Sequence, residues 1–263
     1  MIGPTPFLDF FKRGEVAREV RMLAARGALA PRAHEQLGLL TLLVDDPDAE
    51  VRETAERTLN AIPRAVLGAF LARSDVSIGI REFFGDRGVF PDEIPSLDAA
   101  DEPSAPLVEA PAGADPDPDA TPQGEDARLS ASQQVAKMGF TRRLTAAFTG
   151  SREMRAVLIR DTNKMIAAAV LSSPRLTDSE IESFARMSNV GEDVLRVIAT
   201  NRVWTKNYGV VLGLVKNPKT PLAMSMNLMA RLGERDLSSL SVDRNVPDSL
   251  RIAARKKVMG GKR

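Results

Sequence analysis

Thr177-Asp178-Ser179-Glu180-Ile181-Glu182-Ser183-Phe184-Ala185 sets a hydroxyl three places ahead of a glutamate and puts apolar residues at 181, 184 and 185. The hydroxyl can accept an exposed amide of the first helical turn while the glutamate reaches back to the cap's own N–H, the reciprocal arrangement that starts a helix. Apolar residues three and four apart then lie on one stripe of that helix. Leu176 and Ile181 stand where a hydrophobic staple closes the turn. The phrase recurs from Gly191 (Val194, Leu195, Ile198, Ala199) and, less completely, from Ser151 (Met154, Leu158) and Thr162 (Met165, Ile166, Ala169, Val170). Thr205 (Tyr208, Leu212), Pro221 (Met224, Leu228, Met229) and Pro247 (Leu250, Ala254) continue it. Starts mostly about 13 to 16 residues apart pair into hairpins of roughly 28 residues, the period of a helical-repeat architecture.

Working outward, Ser130-Ala131-Ser132-Gln133 is a second capping box, and Asn217-Pro218-Lys219-Thr220-Pro221 gives a turn, a threonine cap and a proline at the first helical position. The N-terminal part, to about Val89, also has helical periodicity: Val16, Val20, Met22 and Leu23; then a run opened by Pro31 through Leu37, Leu39, Leu40 and Leu43; then one opened by Pro63 through Val66, Leu67, Phe70 and Leu71. Between the last two lies Leu42-Leu43-Val44-Asp45-Asp46-Pro47-Asp48-Ala49-Glu50-Val51-Arg52, followed by Ala55 and Leu59. An apolar helix ending at an Asp-Pro turn, then an acidic helix start with Val-Arg, resembles a HEAT repeat over one unit of about 40 residues. Ser173-Pro174-Arg175-Leu176-Thr177 and Asn217-Pro218-Lys219-Thr220-Pro221 resemble the inter-repeat turns of the leucine-rich-repeat-variant family, an all-helical bacterial solenoid. That second resemblance covers perhaps 100 residues in patches, with spacing longer and less regular than the family's, and it implies architecture without any functional residue.

Charge divides the chain. Residues 1–91 hold 12 basic and 13 acidic residues, 92–127 hold none against 11, and 128–263 hold 24 against 11, within a net charge of only +1. The stretch from Pro91 to Ala127 also carries eight of the 17 prolines and Pro116-Asp117-Pro118-Asp119. It has too little apolar surface to offset the entropy of ordering, so it is expected to be a disordered linker spanning roughly 35 Å in root mean square. The expected organisation is a HEAT-like helical domain at 1–90, an acidic linker at 91–127, a basic helical-repeat domain at 128–258 and a basic tail at 259–263.

Much chemistry is absent from the sequence. With 263 residues and 43% apolar content the chain can bury a core. It has no cysteine, which removes disulfides and thiolate chemistry and fits a reducing cytoplasm. No stretch is long and apolar enough for a membrane span, and the first residues lack a signal-peptide pattern. His34, the only histidine, has no neighbouring nucleophile pattern, and the Gly260-Gly261-Lys262 tail lacks the rest of a phosphate loop. Acidic pairs such as Asp45-Asp46 and Glu192-Asp193 suit helix starts, which favour negative charge.

Binding is the expected activity. Asn201-Arg202-Val203-Trp204-Thr205-Lys206-Asn207-Tyr208 holds the only tryptophan and the only tyrosine, with cations interleaved. On a helix Trp204 and Tyr208 would share a face fit to stack on a base or anchor a peptide; alternatively both rings fill a junction between hairpins, with Asn201 holding the turn. Arg196, Arg202, Lys206, Lys216 and Lys219 on successive elements, with Asn207, complete the candidate binding set. Met224, Met226 and Met229 suit an adaptable patch or core filler, and Phe7, Leu8, Phe10 and Phe11 a docked terminal helix. The expected fold is all-α, an α-solenoid of short hairpins. The expected function is a non-enzymatic scaffold or adaptor that takes a protein partner with an acidic surface, without cofactor or metal. The alternative is a nucleic-acid-binding solenoid, and the acidic linker is itself a candidate occupant of the basic face. An enzyme resembling the helical-repeat DNA glycosylases would need Trp204 or Tyr208 beside an aspartate in a cavity.

Overall fold

Short polar side chains and prolines punctuate the chain so closely that only short helices fit between them, and the computed structural model is built accordingly. It describes residues 6–29, 32–92, 107 and 130–260. Among these, every regular element is helical: sixteen α-helices and one 3-10 turn. The helices are α1 (Pro6–Lys12), α2 (Arg18–Ala25), α3 (Ala33–Leu43), α4 (Ala49–Ala61), α5 (Arg64–Leu71), α6 (Ile78–Gly85), α7 (Ala131–Lys137) and α8 (Phe140–Thr149). There follow α9 (Arg152–Leu158), α10 (Lys164–Leu171), α11 (Asp178–Arg186), α12 (Glu192–Thr200), the 3-10 turn (Trp204–Lys206), α13 (Tyr208–Lys216), α14 (Leu222–Met229), α15 (Glu234–Leu240) and α16 (Asp248–Gly260). No helix among the described residues is long and apolar enough to cross a membrane.

The chain divides into two compact units, Met1–Gly150 with Ser172–Pro174, and Ser151–Leu171 with Arg175–Arg263. Residues 131–150, placed by sequence with the basic half, thus join the first unit, where Phe148 of α8 packs edge-on against Phe7 of α1 at 5.1 Å. Phe7 is buried, as a docked terminal helix requires. Most of the linker expected at 91–127, and the Pro31 helix start, lie outside the described residues.

In the first unit α3 packs on α1, α2, α4 and α6, and α2 packs on α4. The Asp-Pro turn between α3 and α4 is fastened by its own side chains. Asp46 accepts from the Asp48 amide at 2.9 Å and takes a two-pronged hydrogen bond from Arg21 at 2.9 and 3.0 Å. Asp48 caps α4 by accepting from Glu50 N and Val51 N, and Val51, Ala55 and Leu59 then turn inward.

In the second unit α11 packs on α9 and α13, α10 on α12, and α14 on α16, in addition to sequential neighbours such as α13 with α14 and α15 with α16. The capping box at Thr177 forms, as does the one at Ser130 in the first unit. Several helix starts differ from those expected. α10 is capped by Asn163, whose side chain accepts from Met165 N at 3.0 Å, and α13 by Asn207. At Pro221 the proline takes the cap position itself, and Thr220 is buried with no partner for its hydroxyl. α15 opens on Gly233, which offers no side-chain signal.

Candidate functional site

α13 carries Gly209 and Gly213 one turn apart, and these let α11 come close. A β-carbon at Gly213 would lie 3.2 Å from the Ala185 β-carbon, and one at Gly209 would lie 2.5 Å from the Glu182 carboxylate. Side chains of α11 are therefore laid across the backbone of α13, and a groove forms where they meet. One part, about 460 Å³, lies along α11 between Ser179, Glu182, Ser183 and Arg186. A second, about 580 Å³, runs on from Arg186 past Ser188, Leu212, Lys216 and Pro218 to Asn245.

The charges in this groove are ordered. Arg186 is exposed and hydrogen-bonded to Glu182 one turn back, so a cation and an anion share its first part. Lys216, half-buried at the end of α13, donates to Ser239 Oγ of α15 at 3.4 Å. Asn217 forms the buried floor: its amide donates to Ala185 O at 2.9 Å and Met187 O at 3.0 Å, while its oxygen accepts from Lys219 N at 3.0 Å. It thereby caps the end of α11 from the end of α13. The surface combines an apolar strip at Leu212 and Pro218 with two cations and the polar side chains of Ser188 and Asn245.

The candidate residues named from sequence do not form one site. Arg196 on α12 is paired with Glu192 at 2.7 Å. Trp204 lies in the 3-10 turn and Tyr208 begins α13 beyond an extended Asn207, so the two rings do not share a helical face. The reason is local: Asn201 accepts from Val203 N at 2.9 Å and Thr205 donates to Asn201 O at 2.8 Å, which closes a tight turn before α13 can start. Trp204 is half-buried, and Arg202, Lys206 and Lys219 are exposed. Asn207 accepts from Gly209 N at 2.8 Å. Tyr208 does stand beside an aspartate: its hydroxyl donates to Asp236 and accepts from Gly233 N at 3.2 Å. The pair lies on the surface, and the Asp236 carboxylate holding the phenol proton keeps that group above its ordinary value. Only Lys216 of the set lines the groove, with Lys219 two residues beyond Asn217.

Two arrangements escaped the sequence. Arg155 of α9, 4% exposed, donates to both oxygens of Glu180 at 2.9 and 3.0 Å. Burial pushes the Glu180 carboxyl up, but hydrogen bonds from Arg155 and Thr177 outweigh it and hold the group below its ordinary range. The capping glutamate of α11 is thus also the anchor for α9. Conversely, Glu35 of α3, 4% exposed, has an oxygen without a hydrogen-bond partner, and burial pushes it up to about 7 against a weaker opposing pull from Arg32. His34 is pushed down, chiefly by burial. Among the described residues no group of three His, Asp or Glu side chains could hold a metal ion. No family model, no curated protein and no solved structure matches the chain.

Proposed function

We propose that this chain is a non-enzymatic scaffold or adaptor whose second unit stacks helical hairpins in the HEAT-like manner and holds an acidic segment of a protein partner in the Arg186–Lys216 groove. The groove is the observation that carries this reading, because it joins apolar contact at Leu212 and Pro218 to the ammonium of Lys216, beyond the Arg186–Glu182 pair that opens it. Stacking is supported by contacts between helices two apart in sequence, α9 with α11, α11 with α13, α10 with α12 and α14 with α16. Such contacts arise when each hairpin lies on the next. On this reading the protein works in a reducing compartment such as the cytoplasm, where a chain without cysteine loses nothing.

The alternative, a phosphate-binding ribbon, draws on the 18 Lys and Arg against 11 Asp and Glu in residues 151–260. Many of those cations are already answered: Arg155 by Glu180, Lys164 by Asp193, Arg186 by Glu182, Arg196 by Glu192 and Arg251 by Asp248. The test titrates the full chain with a fluorescent peptide of alternating Glu and Leu and, separately, with duplex DNA across a salt series. Peptide binding should be lost in Lys216→Glu and kept in Arg196→Glu. If Lys216→Glu binds the peptide as well as the unaltered chain, the groove is not the site. DNA binding that falls steeply with salt and ignores Lys216 would favour the phosphate-binding ribbon.

A further inference from the structure

Gly27 ends α2 in the left-handed region at φ +79°, which a residue without a β-carbon adopts freely. Its carbonyl is thereby turned toward α3, where it accepts from Gln36 Nε2 at 3.0 Å. Gln36 is 1% exposed, on a helix whose other buried positions include Leu37, Leu39, Leu40 and Leu43. Because its nitrogen is committed to a carbonyl, its oxygen must face the other way, and there it accepts from the backbone N–H of Leu107 at 2.7 Å. Leu107 is half-buried. It lies inside the stretch that composition marks as an acidic linker.

We propose that Gln36 is the centre of a peptide-binding site on the first unit that reads a proline-flanked apolar segment through a main-chain N–H, and that the chain fills this site itself with Leu107. A buried side-chain amide fixed on one side by a carbonyl is a rigid acceptor, suited to a backbone N–H whatever the side chains beside it. Selectivity comes from the segment. Ser104-Ala105-Pro106-Leu107-Val108-Glu109-Ala110-Pro111 sets one apolar pair among prolines and acids. Proline disfavours helix in the residue before it, here Ala105 and Ala110. Leu107 follows Pro106, which cannot donate, and so supplies the first amide available to Gln36. The tether makes the site intramolecular, at an effective concentration on the order of millimolar. A partner bearing a similar Pro-Leu-Val segment has to displace it.

The experiment uses the full chain and the synthetic nonapeptide of residues 103–111. Leu107→Pro removes the donated N–H from a position outside every helix, so the first unit keeps its own packing. The peptide should bind this variant one to one and bind the unaltered chain several-fold more weakly, because the tethered segment competes. A peptide with proline in place of Leu107 should bind neither. Failure of the nonapeptide to bind Leu107→Pro up to low-millimolar concentration overturns the proposal, as does equal binding of the proline peptide. Hydrogen exchange gives a second reading: the Leu107 amide should exchange at least about tenfold slower than a free peptide amide. Exchange at the free rate, or protection that grows with protein concentration and so marks a second copy as donor, overturns the intramolecular assignment.

Discussion

Glu35 in the first unit and Glu180 in the second are buried almost equally, 4% and 2% exposed, yet their surroundings differ. Glu180 sits in the first turn of α11, where it closes a capping box with Thr177 and receives both prongs of Arg155. Glu35 occupies the first turn of α3 and has one oxygen unpaired, with its carboxyl pushed up to about 7. One burial joins two helices and the other stores a titratable strain. In the second unit polar burial repeatedly spans helices two apart, Arg155 of α9 to Glu180 of α11 and Asn217 beyond α13 to the end of α11. Buried polar groups there fix how the helices register, because any other stacking leaves them unpaired.

The strongest way to break this contrast is Arg155→Ala, which strands a buried carboxylate and should destabilise the second unit by about 3 to 5 kcal/mol. Trp204, the only tryptophan and a member of that unit, reports the loss by fluorescence in a denaturant titration. Replacing both partners by methionine should recover most of it, apart from about 1 kcal/mol for the lost capping. Next comes Glu35→Gln. The folded group keeps its proton between its ordinary value of 4.5 and about 7, whereas the unfolded chain has lost it. The first unit therefore loses stability as pH rises through that window and changes no further above it. The glutamine should accordingly stabilise it by about 2 to 3 kcal/mol at pH 8 and by under about 1 kcal/mol at pH 5, read by hydrogen exchange over α3. Glu180 has the opposite sign: its contribution is present above the ordinary carboxylate range and is lost as pH falls below it. Acidification from pH 8 to 5 should thus firm the first unit through Glu35, opposed below the ordinary histidine range by His34, which burial keeps neutral, and should leave the Glu180 contribution nearly unchanged. A pH response of the first unit that is the same in Glu35→Gln as in the unaltered chain would remove the distinction.

Smaller effects sharpen it. Asn217→Ala removes two donors to buried helix-end carbonyls and should cost about 2 kcal/mol, again by tryptophan fluorescence. Arg196→Ala breaks only an exposed pair, with both side chains more than half exposed, and should change stability by about 0.5 kcal/mol or less.

Helix starts were legible where a side chain makes them. Thr177, Ser130 and Ser151 cap as their sequence indicates, since the capping atom lies three residues or fewer from its amide. Starts made by backbone alone, as at Gly233, or shifted by a preceding turn, as at Asn207, give no such signal. The Trp204 and Tyr208 pairing failed for that reason: a helical wheel assumes one continuous helix, and Asn201 interrupts it. Lys216 was recognisable as a cation but not as a groove residue, because the groove depends on Gly209 and Gly213 admitting α11. Arg155 with Glu180, and Gln36 with Leu107, join positions 25 and 71 residues apart, and local pattern carries nothing over such distances.

Gly27 has a stereochemical consequence. At φ +79° its backbone adopts the conformation natural to a mirror-image residue, so D-alanine would fit the torsion where L-alanine would strain it. Handedness at the end of one short helix thus sets where a carbonyl points, and through Gln36 it sets whether a backbone amide 80 residues further along the chain finds an acceptor.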